Sequence, residues 1–205
     1  GIGETGCLPP NLLAPEADLI IGIGTRYTDF TTSSKSLFKH GEVTFLNLNI
    51  SPADALKLGG VQVLADAKLA LQALADALGD YRSGWGSQIS EAKAQLDAEV
   101  DRVHQVEYQG DDFVPEVDDH LDRAVLREFI ELTGSCLTQS RVLGVLNQTL
   151  ADDAIIVAAA GSLPGDLQRA WRSKGVNTYH VEYGYSCMGY EINAALGVKL
   201  AEPTK

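Results

Sequence analysis

The segment Asp18-Leu-Ile-Ile-Gly-Ile-Gly24 is the clearest indicator of the fold, because it is a short, continuous apolar run that ends in glycines. Such a run is typical of a strand that is buried on both faces of a parallel sheet. Two further strands are predicted over 43–50 and 61–64, and helices are predicted to begin after Ser51 and Asp66, residue types that cap helix N-termini. Strands that alternate with short helices indicate an α/β layered unit with a parallel sheet.

The pattern changes after this unit. From Trp85 onward, apolar residues recur at steps of three and four, which predicts a long helix that ends at Gly110. Residues 110–137 are acidic and irregular, with a short amphipathic segment near 123–132, and they are typical of a connector that lies over a surface. The chain therefore leaves the first α/β unit through a helix and an acidic segment.

A second α/β pattern follows the connector. A helix is predicted after Thr138, and the apolar segments 154–160 and 178–182 predict strands, with a helix between them. A last helix is predicted over 190–201, in which the small residues of 194–197 are expected to pack closely.

Neither α/β pattern makes a complete domain, since an open piece of two or three strands would leave long unpaired edges. We therefore expect the chain to be an excerpt of a longer polypeptide. Residues 1–82 would be the C-terminal part of a Rossmann-like domain with a parallel sheet, and residues 83–135 the long helix and acidic linker. Residues 136–205 would be the incomplete start of a second α/β domain.

Composition excludes several classes of protein. The 205 residues carry a formal charge of −12, and the stretch 91–131 holds 13 acidic and 4 basic residues. A chain without a basic patch binds nucleic acid poorly, so no nucleic-acid partner is expected. No apolar run approaches the roughly 20 residues that cross a bilayer, so no membrane partner is expected. The three cysteines are few, odd in number and without metal-site spacing, which is typical of reduced thiols in the cytoplasm.

Two glycine motifs in the first unit match dinucleotide-binding loops by letter. Gly1-Ile-Gly3-Glu-Thr-Gly6 has no preceding strand, and we interpret it as a flexible loop. Gly22-Ile-Gly24 follows a strand directly, at the sheet edge where open α/β sheets bind ligands. Because Tyr27 stands where the third glycine of the fingerprint belongs, a structural turn is favoured over a working NAD site.

Two segments of the second unit are candidates for ligand binding. Gly161-Ser162-Leu163 lies between a strand and a helix, where backbone N–H groups can bind phosphate, although a plain turn explains it as well. The loop Glu182-Tyr-Gly-Tyr-Ser-Cys-Met-Gly-Tyr-Glu191 contains the chain's single methionine. The residues alone leave open whether Met188 fills a core or contacts a ligand. The four histidines are scattered, with no metal-site spacing.

Several of these segments resemble the thiamine diphosphate (ThDP) enzymes related to acetohydroxyacid synthase and pyruvate decarboxylase. Residues 13–26 and 47–53 are similar to consecutive strand segments of their central domain. Residues 160–162 and 187–191 are similar to the start of their diphosphate-binding domain. The resemblance spans nearly the whole chain. It implies a central domain in the first part and the N-terminal part of the diphosphate-binding domain in the last.

The resemblance also implies roles for individual residues. Met188 stands where these enzymes hold a bulky apolar side chain beneath the bent cofactor, and the carbonyl of Ser186 would accept from its 4′-amino group. Many relatives have glycine at the position of Ser186. The implied cofactor-binding residues are Gly161, Ser162, Leu163, Ser186, Met188 and Gly189. No catalytic acid or base and no metal ligand can be assigned in this chain, since the metal-binding Gly-Asp-Gly and its Asn are expected after Lys205.

The strings 161–167 and 182–191 are most similar to members that open a cyclic dione by C–C cleavage to a linear acid. The expected cofactors are ThDP and Mg²⁺ in the full-length parent, with little affinity in this chain alone. The cyclic dione is the expected small-molecule substrate, and a homodimer or homotetramer is expected because these cofactor sites lie between subunits. Three alternatives stay open: a synthase or decarboxylase of the same superfamily, a standalone nucleotide-binding module, and a non-catalytic domain that binds a partner through Asp111, Asp112, Asp118 and Asp119.

Overall fold

A computed structural model describes residues 1–108, 123–182 and 184–205. The chain divides into two units, Gly1–Asp97 and Ala98–Lys205. The boundary lies inside a helix that runs from Ser87 to Val103. The predicted division into 1–82, 83–135 and 136–205 stays a prediction.

The first unit contains a three-stranded parallel sheet with short helices between the strands, which confirms the predicted α/β class. The strands lie in the order β1-β2-β3, and Ile21 of β1 is in register with Leu46 of β2. The elements are α1 (Leu8–Leu13), a 3₁₀ turn (Ala14–Glu16), β1 (Leu19–Ile23), α2 (Asp29–Thr32), β2 (Thr44–Asn49), α3 (Pro52–Ala55), β3 (Val61–Leu64), α4 (Ala67–Leu78) and α5 (Ser87–Val103).

The helix starts of this unit lie where the capping residues predict them. The Ser51 hydroxyl accepts from the backbone N–H of Asp54, and Pro52 occupies the first position of α3. The Asp66 carboxylate accepts from the N–H groups of Lys68 and Leu69 at 3.0 and 3.2 Å. Such caps satisfy donors that a helix N-terminus leaves without a partner.

The predicted burial of β1 on both faces is wrong for the described residues. Gly22 is buried, but the side chains of Leu19, Ile21 and Ile23 remain between 39% and 49% exposed. Successive side chains of a strand point to opposite faces, so one face of β1 carries the three exposed residues. A complete parallel sheet has helices on both faces, and within the described residues no helical layer buries this face of β1.

The second unit contains two small sheets. Strands β6 and β7 are parallel, and β4 and β5 form a short antiparallel pair that no sequence pattern indicated. A buried core forms around Leu143, Ala158 and Leu167, against which Trp171 and Tyr179 pack. The elements after α5 are β4 (Glu107–Tyr108), α6 (Arg123–Thr133), β5 (Cys136–Leu137), α7 (Gln139–Thr149), β6 (Ile156–Ala158), α8 (Ser162–Ala170), β7 (Tyr179–Val181) and α9 (Tyr190–Ala201).

The predicted continuation of the long helix to Gly110 is wrong, since α5 ends at Val103. The backbone beyond it is bound by side chains from much later in the chain. The Arg141 guanidinium donates to the carbonyl of His104, and the Thr138 hydroxyl donates to that of Val106, both at 3.1 Å. These partners replace the hydrogen bonds that a continuing helix would supply.

The expected close packing of residues 194–197 in α9 is also wrong in the described structure. Leu196 is 59% exposed, and no atom lies within 4 Å of where a Cβ of Gly197 would be. The four acidic residues considered for partner binding lie outside the described residues: Asp111, Asp112, Asp118 and Asp119. No helix of the described ranges has both the length and the apolar character to cross a membrane.

Candidate functional site

The glycine-rich N-terminal segment is a closely packed turn in place of the predicted flexible loop. The backbone N–H of Gly3 donates to the Asn11 side chain at 2.8 Å, and the Asn11 amide donates back to the Gly3 carbonyl at 2.7 Å. A Cβ on Gly3 would lie 1.9 Å from the carbonyl oxygen of Phe30. Glycine is therefore required here for close packing within the protein.

The turn after β1 is filled by the protein's own side chain. A Cβ on Gly22 would lie 1.7 Å from the hydroxyl oxygen of Tyr27, whose ring is buried. That hydroxyl donates to the side-chain oxygen of Asn47 at 2.6 Å, while the Asn47 amide donates to the carbonyls of Ala55 and Gly59. Burial raises the pKa of Tyr27. This arrangement supports the structural interpretation of the Gly22–Gly24 turn over that of a NAD site.

The segment Gly161-Ser162-Leu163 lies at the carboxyl end of β6, where α8 begins. Gly161 precedes the helix with a φ of +87°, and no atom lies within 4 Å of where its Cβ would be. The first N–H groups of a helix have no intrahelical acceptor, and the helix dipole adds partial positive charge there. The start of α8 therefore offers backbone N–H groups of the kind that bind anions, with open space beside Gly161.

The loop before α9 presents Met188 to solvent. Met188 is 90% exposed and Tyr185 is 86% exposed, so the interpretation of Met188 as core filling is wrong. Ser186 adopts a left-handed conformation with a φ of 52°, and Gly189 precedes α9 with a φ of +89° and open space beside it. Tyr183 lies outside the described residues.

The Glu191 carboxylate brings the two predicted groups of residues together. One of its oxygens accepts from the N–H of Ala160 at 3.3 Å, and the other accepts from the N–H of Gly189 at 3.1 Å. Backbone N–H groups, its own first and then that of Ala160, lower the pKa of Glu191. The Glu191 side chain therefore joins the segment that leads into α8 to the loop that contains Met188.

A second carboxylate holds the middle of the loop. Glu182 continues the pairing of β7 with β6, since its N–H donates to the carbonyl of Ala158 at 3.0 Å. Its side chain accepts from the N–H groups of Tyr185 and Cys187 at 2.9 and 3.1 Å, and these bonds lower its pKa. Glu182 and Glu191 were not among the site residues predicted from the sequence. Their position as acids flanking a glycine-containing loop, one at a strand end and one in a first helical turn, is the signal that could have identified them.

Metal-binding side chains are not grouped in the part of the chain that the structure describes. No set of three or more His, Cys, Asp or Glu residues there could hold a metal ion. Cys7, Cys136 and Cys187 are free thiols.

Comparisons with known proteins agree with the resemblance noted in the sequence. Residues 1–74 match the family model "Thiamine pyrophosphate enzyme, central domain", and residues 159–205 match "Thiamine pyrophosphate enzyme, C-terminal TPP binding domain". The whole chain is 57% identical to the 3D-(3,5/4)-trihydroxycyclohexane-1,2-dione hydrolase of Geobacillus thermodenitrificans and 56% identical to that of Bacillus thuringiensis. The chain spans about a third of the length of these relatives, 32% in each case.

Proposed function

The chain belongs to the thiamine pyrophosphate enzymes, and from this premise we propose that it is part of a ThDP-dependent hydrolase that opens a trihydroxycyclohexane-1,2-dione ring by C–C cleavage. The observation that carries the proposal is the identity of 55–57% with relatives of that name over the full length of the chain. Because the alignment covers the whole chain, it includes both segments of the candidate site. The product would be a linear deoxyhexuronic acid in inositol catabolism.

The described residues fit the cofactor. The backbone N–H groups at the start of α8 and the Ser162 hydroxyl would hold the diphosphate, with Leu163 beside it and the open side of Gly161 leaving room. The exposed Met188 would support the bent cofactor from below, and Gly189 lets the backbone approach it closely. When bound, ThDP supplies a carbon nucleophile and an electron sink for breaking the C–C bond.

The chain's own groups would orient the cofactor. The Ser186 carbonyl would accept from the 4′-amino group, and the exposed side chain of Met188 would hold the two rings in their bent arrangement. Orientation of this kind lowers the barrier of the chemical step because the reacting atoms are held at the right distance. The Mg²⁺ ion that accompanies the diphosphate would be held by residues other than the described ones.

The proposal extends to the arrangement of the parent protein. Residues 1–82 would belong to the central domain, 83–135 to a linker and 136–205 to the diphosphate-binding domain. The parent would be a cytoplasmic homodimer or homotetramer with the cofactor between subunits. The resemblance to the superfamily supports these assignments.

The test is an assay of the full-length protein with the cyclic dione and, separately, with pyruvate. Ring opening that requires ThDP and Mg²⁺ is expected with the dione, followed by mass spectrometry of the linear product. Turnover of pyruvate alone would favour a synthase or decarboxylase, and ring opening without ThDP would contradict the proposal.

A variant series at Met188 tests the cofactor site directly. Because Met188 is 90% exposed, Met188→Ala should change the free energy of unfolding by less than about 0.5 kcal/mol. Its ThDP-dependent kcat should fall about tenfold or more, since a misaligned cofactor loses rate steeply. Met188→Leu keeps a bulky apolar side chain and should retain most of the activity. Equal activity of Met188→Ala and wild type would contradict the assigned role.

A further inference from the structure

Glu182 is bound to the protein through its backbone as well as its side chain. Its N–H donates to the carbonyl of Ala158, the last residue of β6, at 3.0 Å. The backbone of Glu182 is thereby fixed to the edge of the sheet from which α8 and the candidate site begin. The Glu182 side chain therefore extends from a fixed backbone position and can hold the loop that follows in place.

The Glu182 carboxylate holds one particular peptide group of that loop. It accepts from the N–H of Cys187 at 3.1 Å, and this N–H belongs to the peptide unit that also carries the Ser186 carbonyl. A trans peptide is planar, and its C=O and N–H bonds point in opposite directions. The structure contains no cis peptide bond in the described residues. Fixing the N–H of Cys187 toward Glu182 therefore fixes the Ser186 carbonyl away from it.

A second bond holds the backbone on the other side of Ser186. The same carboxylate accepts from the N–H of Tyr185 at 2.9 Å, so the backbone is held on both sides of Ser186. Hydrogen bonds to an ionised acceptor are stronger than those between neutral groups. A peptide whose N–H donates to a carboxylate is also polarised, which makes its carbonyl a better acceptor.

We propose that Glu182 is a positioning residue of the cofactor site, which aims and polarises the Ser186 carbonyl by holding the N–H group of the Ser186–Cys187 peptide. The inference rests on the proposed function, because the Ser186 carbonyl is there assigned to the 4′-amino group of ThDP. Glu182 itself touches neither cofactor nor substrate in this role. It affects the direction of the Ser186 carbonyl and the strength of that carbonyl as a hydrogen-bond acceptor.

The first experiment measures the loop without any cofactor. Amide hydrogen exchange of the full-length protein without ThDP is compared for wild type, Glu182→Ala, Glu182→Gln and the control Glu202→Ala, which removes a carboxylate at the other end of α9. Exchange at Tyr185 and Cys187 should accelerate about tenfold in Glu182→Ala, since their acceptor is lost. Glu182→Gln retains one acceptor oxygen, so its exchange rates at these two amides should lie between those of wild type and Glu182→Ala. Exchange within β6 and β7 should not change, which also shows that the variants are folded.

The second experiment measures the full-length enzyme. Glu182→Ala should lower kcat about tenfold or more, because misorientation of a cofactor contact affects the chemical step. The KM for the cyclic dione and the affinity for ThDP should change less than about threefold, since the diphosphate is held at α8. Glu182→Gln should recover part of the lost kcat, and Glu202→Ala should match wild type.

The outcomes separate the two proposals. Unchanged exchange at Cys187 in Glu182→Ala, or a kcat equal to that of Glu202→Ala, overturns the role of Glu182. Absence of ThDP-dependent ring opening in the wild-type enzyme instead overturns the proposed function, together with the role of Glu182 toward the cofactor. In that case accelerated exchange in Glu182→Ala would still establish that Glu182 holds the loop.

Discussion

Replacement of Gly22 by alanine is the sharpest test of why β1 contains a glycine near its end. The new Cβ would lie 1.7 Å from the hydroxyl oxygen of Tyr27 and 2.4 Å from its Cζ atom. The ring cannot remain in place at such distances, and it is only 7% exposed. It is also tied to Asn47, which is 1% exposed.

The magnitude follows from two separate costs. Forcing an extra methyl group into a packed site costs about 1–3 kcal/mol. If the ring moves, the buried Asn47 oxygen loses its donor, which costs about 1–3 kcal/mol more. Gly22→Ala should therefore destabilise the first unit by about 2–6 kcal/mol. Tyr27→Phe removes the donor alone and should cost about 1–3 kcal/mol.

The assay is urea unfolding combined with native-state hydrogen exchange at the amides of β2, which reports on the first unit. Gly24→Ala is the matched control, because Gly24 has a φ of +62° but no atom within 4 Å of its Cβ position. It should cost about 1–2 kcal/mol from backbone strain alone. The double variant Gly22→Ala/Tyr27→Phe should lose less free energy of unfolding than the sum of the two single variants, by at least about 0.5 kcal/mol.

Two results would contradict this explanation of Gly22: a cost of Gly22→Ala no greater than that of Gly24→Ala, or a double variant in which the two single costs add in full. Either result would mean that the Tyr27 ring does not depend on the missing side chain at Gly22. The glycines of this turn would then need another explanation, and a ligand-binding role would again be open.

Two further predictions concern the second unit. Burial and, to a lesser extent, the charge of Arg172 lower the pKa of His104. The neutral ring therefore contributes its full stability above a pH of about 6.5, and this contribution is lost as the pH falls below that value. His104→Gln should flatten the dependence of the urea midpoint on pH between about 7 and about 5, and an unchanged slope would contradict this. Thr138→Ala removes the cap to the N–H of Arg141 and the bond to Val106, and should cost about 1–2 kcal/mol in urea unfolding. Thr149→Ala, which removes an exposed hydroxyl bonded to the Val145 carbonyl in the same helix, is the control, and equal costs for the two would argue against the assigned cap.

The elements that could be predicted from the sequence are those defined by local chemistry. Asp66 and Gly79 bracket α4 because a carboxylate can satisfy the first N–H groups and a glycine can take the φ of 50° at the end. The strands 19–23 and 44–49 follow from apolar runs in the same way. These signals operate within a few residues, so a single sequence is enough to detect them.

The features that were missed depend on distant partners. Residues 104–108 continue a helical pattern by sequence, but they meet Thr138 and Arg141, more than 30 residues later, and β4 pairs with β5. Likewise, Glu182 takes its role only once the loop folds around its carboxylate, and Glu191 only once it reaches Ala160, which is 31 residues earlier. No local pattern identifies such partners, so the residues that hold the loop could not be predicted from the sequence.

Ser186 is a proposed cofactor contact whose conformation depends on one of these partners, Glu182. By the resemblance it stands where many ThDP enzymes have glycine, and its φ of 52° lies in the left-handed region that favours glycine. A residue with a Cβ reaches this region at a cost of about 1–2 kcal/mol. Glycine adopts the same conformation freely but would also leave the peptide free to rotate. Two charge-assisted bonds from Glu182 to the flanking N–H groups offset the strain in this chain and select one orientation of the carbonyl. Serine is thus compatible with the proposed cofactor contact because an acidic residue four positions earlier holds the peptide that the contact uses.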